Sequence, residues 1–195
     1  GFFTKVETAS KTRPVGKILS CISCGAYKGG ISPKMKAQGN FSKKIMMIGN
    51  APNEQDDKYG IPFQGKSGKI LKRTFANAGV DLLEDCVLTN TIKCRVTDED
   101  NEDRNPSNYE IDCCRKFLFK TIETYKPKVI FLLGDSAIYS IIGNRWKRDL
   151  GRIDKWRGWK IPDQDFKAWL CPFYEPEQFE RAKVPETESD RRVDV

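Results

Sequence analysis

Short apolar runs recur along this chain, separated by longer stretches with a helical period. Ile45-Met46-Met47-Ile48 is the first, bounded at once by Gly49 and too short for a helix, so it reads as a buried strand. Val87-Leu88-Thr89-Asn90-Thr91-Ile92 is a second, β-branched strand. Val129-Ile130-Phe131-Leu132-Leu133-Gly134 is the clearest, and Ala168-Trp169-Leu170-Cys171-Pro172 reads as the last. Between them, Ile70, Leu71 and Phe75 mark a helix over about 67–78 that ends at Gly79. Another begins near Ser107, carries Phe117, Leu118, Phe119 and Ile122, and stops before Pro127. Asp135-Ser136-Ala137 opens a third.

The stretch 45–68 organises the rest. Gly49, Pro52, Gly60, Pro62, Gly65 and Gly68 predict loop until periodicity returns at Ile70. In open α/β sheets a strand, loop and helix in this order put the loop at the carboxyl edge, where ligands bind. The glycines fit neither the dinucleotide fingerprint nor the P-loop pattern.

With 195 residues, 38% hydrophobic and 31% charged, the chain is the size and composition of one globular domain. No apolar run approaches a membrane span, and no signal peptide is present, so the expected setting is the cytoplasm of a bacterial or phage-infected cell. Starting at Gly1 without methionine, the chain reads as processed or as a piece of a longer one. The absence of histidine removes imidazole from every catalytic or metal-binding scheme.

The net charge is +7, and no Asp or Glu falls between Thr8 and Asn53 while Lys and Arg recur there. That one-signed segment suits a polyanion such as nucleic acid, or is a solvated basic arm. From Arg145 to Lys160, Trp146, Trp156 and Trp159 interleave with Lys147, Arg148, Arg152, Lys155, Arg157 and Lys160. Charge for phosphates and flat rings for bases make a DNA face, and a Trp-anchored surface hairpin is the plainer reading. The acidic run 98–104 reads as solvated surface. Seven cysteines without a secretory segment point to a metal site rather than disulfides. Cys21-Ile22-Ser23-Cys24-Gly25 alone suits zinc, an iron-sulfur cluster or a redox pair.

Gly49-x-Ala51-Pro52, then Asp56-Asp57, then Gly60-x-Pro62-Phe63-x-Gly65-x-x-Gly68 resembles the first motif of the iron-sulfur, family 4, uracil-DNA glycosylases. Asn90-x-x-Lys93-Cys94-Arg95, Cys114-Arg115-x-Phe117-Leu118 and Lys126-Pro127-Lys128 with Leu133-Gly134 match further motifs in order, so the resemblance spans about 21–181. Tyr27-Lys28 and Ser32-Pro33-Lys34-Met35 resemble a phage and mobile-element branch, some members of which are fused to a DNA polymerase. The fold so implied is a three-layer α/β/α domain with a four-stranded, mostly parallel central sheet over 21–182. A basic arm precedes it at 1–20, and a tail or linker follows at 183–195.

The resemblance makes Cys21, Cys24, Cys94 and Cys114 the ligands of a 4Fe-4S cluster. Tetrahedral zinc suits four cysteines too, and the adjacent Cys113 is the alternative to Cys114 as a ligand. Cys86 and Cys171 read as buried packing residues. Phe63 and Ala51 are expected at the base, Phe63 stacking on a flipped-out pyrimidine, and Asn90 hydrogen-bonding its Watson-Crick edge. Core packing for Phe63 and a backbone-satisfying role for Asn90 are the plainer readings. Gly65, Ser67, Lys147, Arg148, Arg157 and Phe179 are expected along the DNA, and a replicative DNA polymerase or other replication protein is an expected partner.

Two departures decide the functional expectation. Where the family has Glu, this chain has Asn50, and the final His-Pro-Ser aligns with Glu175-Pro176-Glu177. Uracil departs carrying negative charge, so a carboxylate at position 175 repels it, whereas Asn50 positions a water but cannot act as a base. Glu177 replaces a phosphate-contacting serine. The expectation is a DNA-binding glycosylase domain with weak or no uracil excision, serving phage-type replication or repair. The rivals are an active enzyme on uracil or a modified pyrimidine, with Glu175 neutral by burial or accepting from an amino group, and a protein-interaction module that keeps only the fold.

Overall fold

The computed structural model describes residues 21–146, 150 and 153–181, with backbone only at 179–181. The expected arm at 1–20 and tail at 183–195 lie outside these residues. Strands β1 (Ile45–Gly49), β2 (Cys86–Asn90), β3 (Val129–Leu133), β4 (Ile161–Asp163) and β5 (Ala168–Phe173) form one sheet in the order β2-β1-β3-β5-β4. The four expected strands are there and pair parallel. The count of four is one short, because β4 adds an antiparallel edge beside β5. Its three residues carry Pro162, which a ladder accepts only at an edge, where the missing N–H costs nothing.

Helices α1 (Glu54–Tyr59), α2 (Lys66–Asn77), α3 (Asn108–Tyr125), α4 (Asp135–Ile138), α5 (Asn144–Trp146) and α6 (Pro176–Arg181) join and flank the strands, and a π-helical stretch, Tyr139–Gly143, separates α4 from α5. Ser107 caps α3 in a reciprocal box with Glu110. α1 overturns the expectation of loop up to Ile70. It fits between the helix breakers Pro52 and Gly60 because Asn53 and Asp56 form a second capping box and the Gly60 N–H closes onto the Asp56 carbonyl.

Alternation along β1 divides the core between the two sheet faces. Met46 and Ile48 pack with Leu118 and Ile122 of α3 and with Ile138, while Met47 packs with Leu71 of α2 and with Leu88. Each such side chain contributes about 1.5–3 kcal/mol by leaving water. The β2 run leaves the sheet after Asn90. Thr91 then donates through both its N–H and its hydroxyl to the Gly49 carbonyl, at 2.7 and 2.8 Å, and Ile92 N–H donates to the Asn50 carbonyl at 3.2 Å. The exits of β1 and β2 are thereby tied together at the carboxyl edge. Among the described residues no helix is long and apolar enough to cross a membrane.

Candidate functional site: a base-sized cleft and a cysteine cavity

In-register pairing brings the carboxyl ends of four strands level, with Gly49 opposite Asn90 and Leu133 opposite Phe173. A cleft of about 510 Å³ opens there, lined by Asn50, Ala51, Phe63, Asn90, Glu175 and Glu177 among others. Close packing requires the absence of a side chain at two positions. A Cβ on Gly49 would lie 2.5 Å from the Asn90 Oδ1 and 2.8 Å from the Phe63 ring. On Gly134, held at φ 88°, it would meet the Glu175 side chain at 2.6 Å and the Asn50 Oδ1 at 2.9 Å. Phe63 itself sits at φ 61°, a left-handed conformation that an aromatic residue adopts at a cost of about 1–3 kcal/mol. Phe63 both packs against the core beneath α2 and lines the cleft, where it was expected.

Asn90 is only 4% exposed, yet its Nδ2 has no hydrogen-bond partner within the protein. The Asn50 Oδ1 is likewise buried and unpaired, while its Nδ2 reaches the Asn105 Oδ1 at 3.5 Å. One buried donor and one buried acceptor left open beside an aromatic ring are a demand for a polar, planar ligand. The charge around them is chiefly negative. Asp56, Asp103, Glu175 and Glu177 line the cleft, and Arg104 is its one basic lining residue. Arg104 is already committed to Glu110 by two bonds of 2.8 and 2.9 Å, which hold the Glu110 carboxyl down at about 2. Burial pushes the Asp56 carboxyl above its usual range although the Gln64 N–H donates to it at 2.6 Å.

Cys21, Cys24, Cys94 and Cys114 line a second cavity, of about 640 Å³, which shares no lining residue with the cleft. The 21–36 loop that forms one wall is fixed by Asp57 of α1, whose carboxylate accepts from the Ile31 and Ser32 N–H groups at 2.8 Å each. Lys34 N–H donates to the Cys94 Sγ at 3.3 Å, and Lys93 lines the same cavity as Cys114. Burial pushes the Cys114 thiol up to about 11 and raises Cys94 as well. Among the described residues no three cysteine or acidic side chains already stand as a closed ligand set. The donors nevertheless fit a thiolate-bound centre in number and chemistry. They are four sulfurs on one cavity, one of them accepting a backbone N–H, and all of them side chains that a cationic centre would hold as thiolates. Cys113, one residue before Cys114 on α3, lies outside this lining.

The Uracil DNA glycosylase superfamily model matches residues 37–192. The chain belongs to the uracil-DNA glycosylase superfamily. It is 31% identical over 164 residues to a type-4 uracil-DNA glycosylase of Saccharolobus solfataricus, covering 82% of this chain and 72% of that one. A type-4 uracil-DNA glycosylase of Archaeoglobus fulgidus is 30% identical over 73% of each chain. A DNA polymerase of Bacillus phage SP01 is 29% identical over 108 residues, 55% of this chain and 11% of the polymerase.

Within this superfamily member, Asn50, Ala51, Phe63, Asn90 and Glu175 share one cleft, and Cys21, Cys24, Cys94 and Cys114 share the other cavity. The expected DNA contacts are more scattered. Gly65 precedes α2, and the Ser67 hydroxyl donates to the Glu177 carboxylate at 2.8 Å. Arg157 lies over the Tyr174 ring at 5.1 Å, next to Glu175. Lys147, Arg148 and the side chain of Phe179 lie outside the described residues. Trp156 packs on Trp146 and donates to the Leu150 carbonyl at 2.8 Å, so it anchors its loop, while Trp159 stays exposed. Cys86 is fully buried, whereas Cys171 is only partly so because β5 alternates its burial. The 98–104 run is exposed as expected, yet Asp103, Arg104 and Asn105 reach the cleft. The sequence signal for them was the pair Asn105-Pro106, a chain stop placed just before α3.

Proposed function

We propose that the cleft receives a pyrimidine extruded from DNA, and that the domain binds such DNA while excising uracil weakly. The observation that carries the reading is the buried, unpaired Asn90 Nδ2 beside Phe63. A carbonyl on the edge of a flipped base satisfies that donor, and the ring supplies a stacking face. Attenuation follows from Glu175, packed with Asn50 over Gly134. A carboxylate facing a departing uracil anion in a partly desolvated cleft raises the barrier by several kcal/mol, on the order of 10³-fold in rate. Asn50 can orient a water but cannot accept its proton.

Cys21, Cys24, Cys94 and Cys114 would hold a 4Fe-4S cluster, as the four-sulfur donor set on one cavity supports. What such a centre supplies here is a cross-link between the 21–36 loop, the β2 exit and α3. The role we assign is in DNA replication or repair of the phage type, within or beside a polymerase, as the short likeness to a phage polymerase supports. The decisive measurement is excision on uracil-containing single- and double-stranded oligonucleotides with protein purified without oxygen. The expected turnover is at least a hundredfold below a type-4 enzyme, and turnover within tenfold of that enzyme overturns the reading. A second reading, excision of a modified pyrimidine bearing an amino group, draws on the acceptors Glu175 and Asn50 in the same cleft. A panel of modified oligonucleotides separates the two.

A further inference from the structure

Lys93 is a buried cation that neither the cleft nor the cysteine cavity yet explains. It is 9% exposed, and its Nζ donates to the Thr89 hydroxyl and, at 2.8 Å, to the Asn90 carbonyl. Both partners are neutral, and a buried ammonium with only neutral acceptors is expensive unless negative charge stands nearby. The rest of the residue faces the other cavity. Lys93 lines the cavity that carries the four cysteines, directly precedes Cys94 in the chain, and its carbonyl accepts from Met35 N–H at 2.7 Å. One residue therefore touches the backbone of the proposed base reader and stands in the wall of the proposed ligand cavity. The two cavities share no lining residue, so Lys93 is a direct link between them.

We propose that Lys93 is a positioning residue that couples the cysteine site to base recognition. Its ammonium holds the Asn90 carbonyl, and with it the direction of the Asn90 amide, while the negative charge of the thiolate site keeps that ammonium in place. The geometry is economical. Asn90 ends β2 opposite Gly49, and the turn that follows is already fixed through Thr91 to the Gly49 carbonyl. The Lys93 bond gives the Asn90–Thr91 peptide a second anchor, holding its carbonyl while the Gly49 carbonyl holds its N–H.

This inference rests on Asn90 reading the base and on the cysteines binding a centre, so its test must separate the layers. Full-length protein purified without oxygen is titrated with two single-stranded oligonucleotides, one carrying a single 2′-fluoro-2′-deoxyuridine and the other thymidine at that place. The ratio of their dissociation constants measures base discrimination, and bound iron per chain is measured alongside. Asn90→Ala is the reference and should abolish discrimination. Lys93→Met should lose about tenfold of the discrimination with thymidine-oligonucleotide affinity unchanged, and should lose half or more of its iron. Lys93→Arg, which keeps the charge, should recover iron. If Lys93→Met changes neither quantity by more than twofold while Asn90→Ala does abolish discrimination, the coupling is refuted and the base pocket stands. If Asn90→Ala changes nothing, the pocket reading fails and the coupling falls with it. Should Lys93→Met not fold, as judged by its circular dichroism melt, Thr89→Val removes one acceptor of the ammonium and leaves the cysteine cavity untouched. Discrimination should then fall two- to fivefold with iron unchanged, and an unaltered ratio refutes the coupling.

Discussion

On the proposed reading, the Glu175 side chain sets the sign of the electrostatics where a departing base would collect charge. It packs over Gly134 with the unpaired Asn50 oxygen, and Gly134 is the residue that makes room for both. Replacing the carboxylate by a donor reverses that sign without altering the backbone, so Glu175→His should raise uracil excision by about 10²–10³-fold. Single-turnover assays on a uracil oligonucleotide measure it, and a rate unchanged within threefold would mean that Glu175 does not face the base. Much of this site was legible residue by residue. The resemblance to the family's motifs marked Phe63, Asn90, Asn50 and Glu175 as candidates, and all four line one cleft at the carboxyl edge of the sheet. What the spacing did not reveal were contacts between separate loops, such as Asn50 with Asn105 and Ser67 with Glu177, since neither partner carries a local pattern pointing to the other.

Capping governs at the level of elements. α1 and α3 each begin with a side-chain box, and the α3 box recruits Arg104 from the loop at the cleft rim. Strand positions were readable from apolar runs of four to six residues, whereas α1 was hidden because six polar residues between helix breakers carry no hydrophobic period. β4 was hidden for a related reason, being three residues long with a proline at its centre. The Arg104–Glu110 pair gives a pH test. The Glu110 carboxyl ordinarily titrates near 4.5 and is held at about 2, first by the Arg104 guanidinium. A folded value below the unfolded one stabilises the protein above about pH 4.5, and that stabilisation disappears as the pH falls through about 2. Arg104→Gln should therefore cost about 1 kcal/mol at pH 7, a modest figure because the guanidinium is partly in solvent, and the cost should shrink between pH 4.5 and 2. Urea melts at pH 6 and pH 3 read the difference, and an equal cost at both would assign the loss to packing instead.

Over the whole molecule, charge is segregated. The chain carries +7, but the cleft itself is lined by four carboxylates and one committed arginine, while 21–44 holds lysines and no acid. On the proposed reading, a polyanion is held by basic residues outside the cleft, and only an extruded base enters the acidic centre. If about four phosphates are neutralised at that rim, the logarithm of single-strand affinity should fall with the logarithm of salt at a slope of about −3. Titrations between 50 and 200 mM salt would then weaken binding by roughly fiftyfold. A domain that kept the glycosylase fold only to dock onto another protein has no use for such a rim, and its oligonucleotide affinity would be negligible at every salt concentration. Replacing Lys28, Lys34 and Lys36 together by glutamine tests the location. The slope should become shallower by about 0.7 for each of those lysines that meets phosphate, while discrimination between a uracil analogue and thymidine stays as it was, because the proposed base readers Phe63 and Asn90 line the separate cleft.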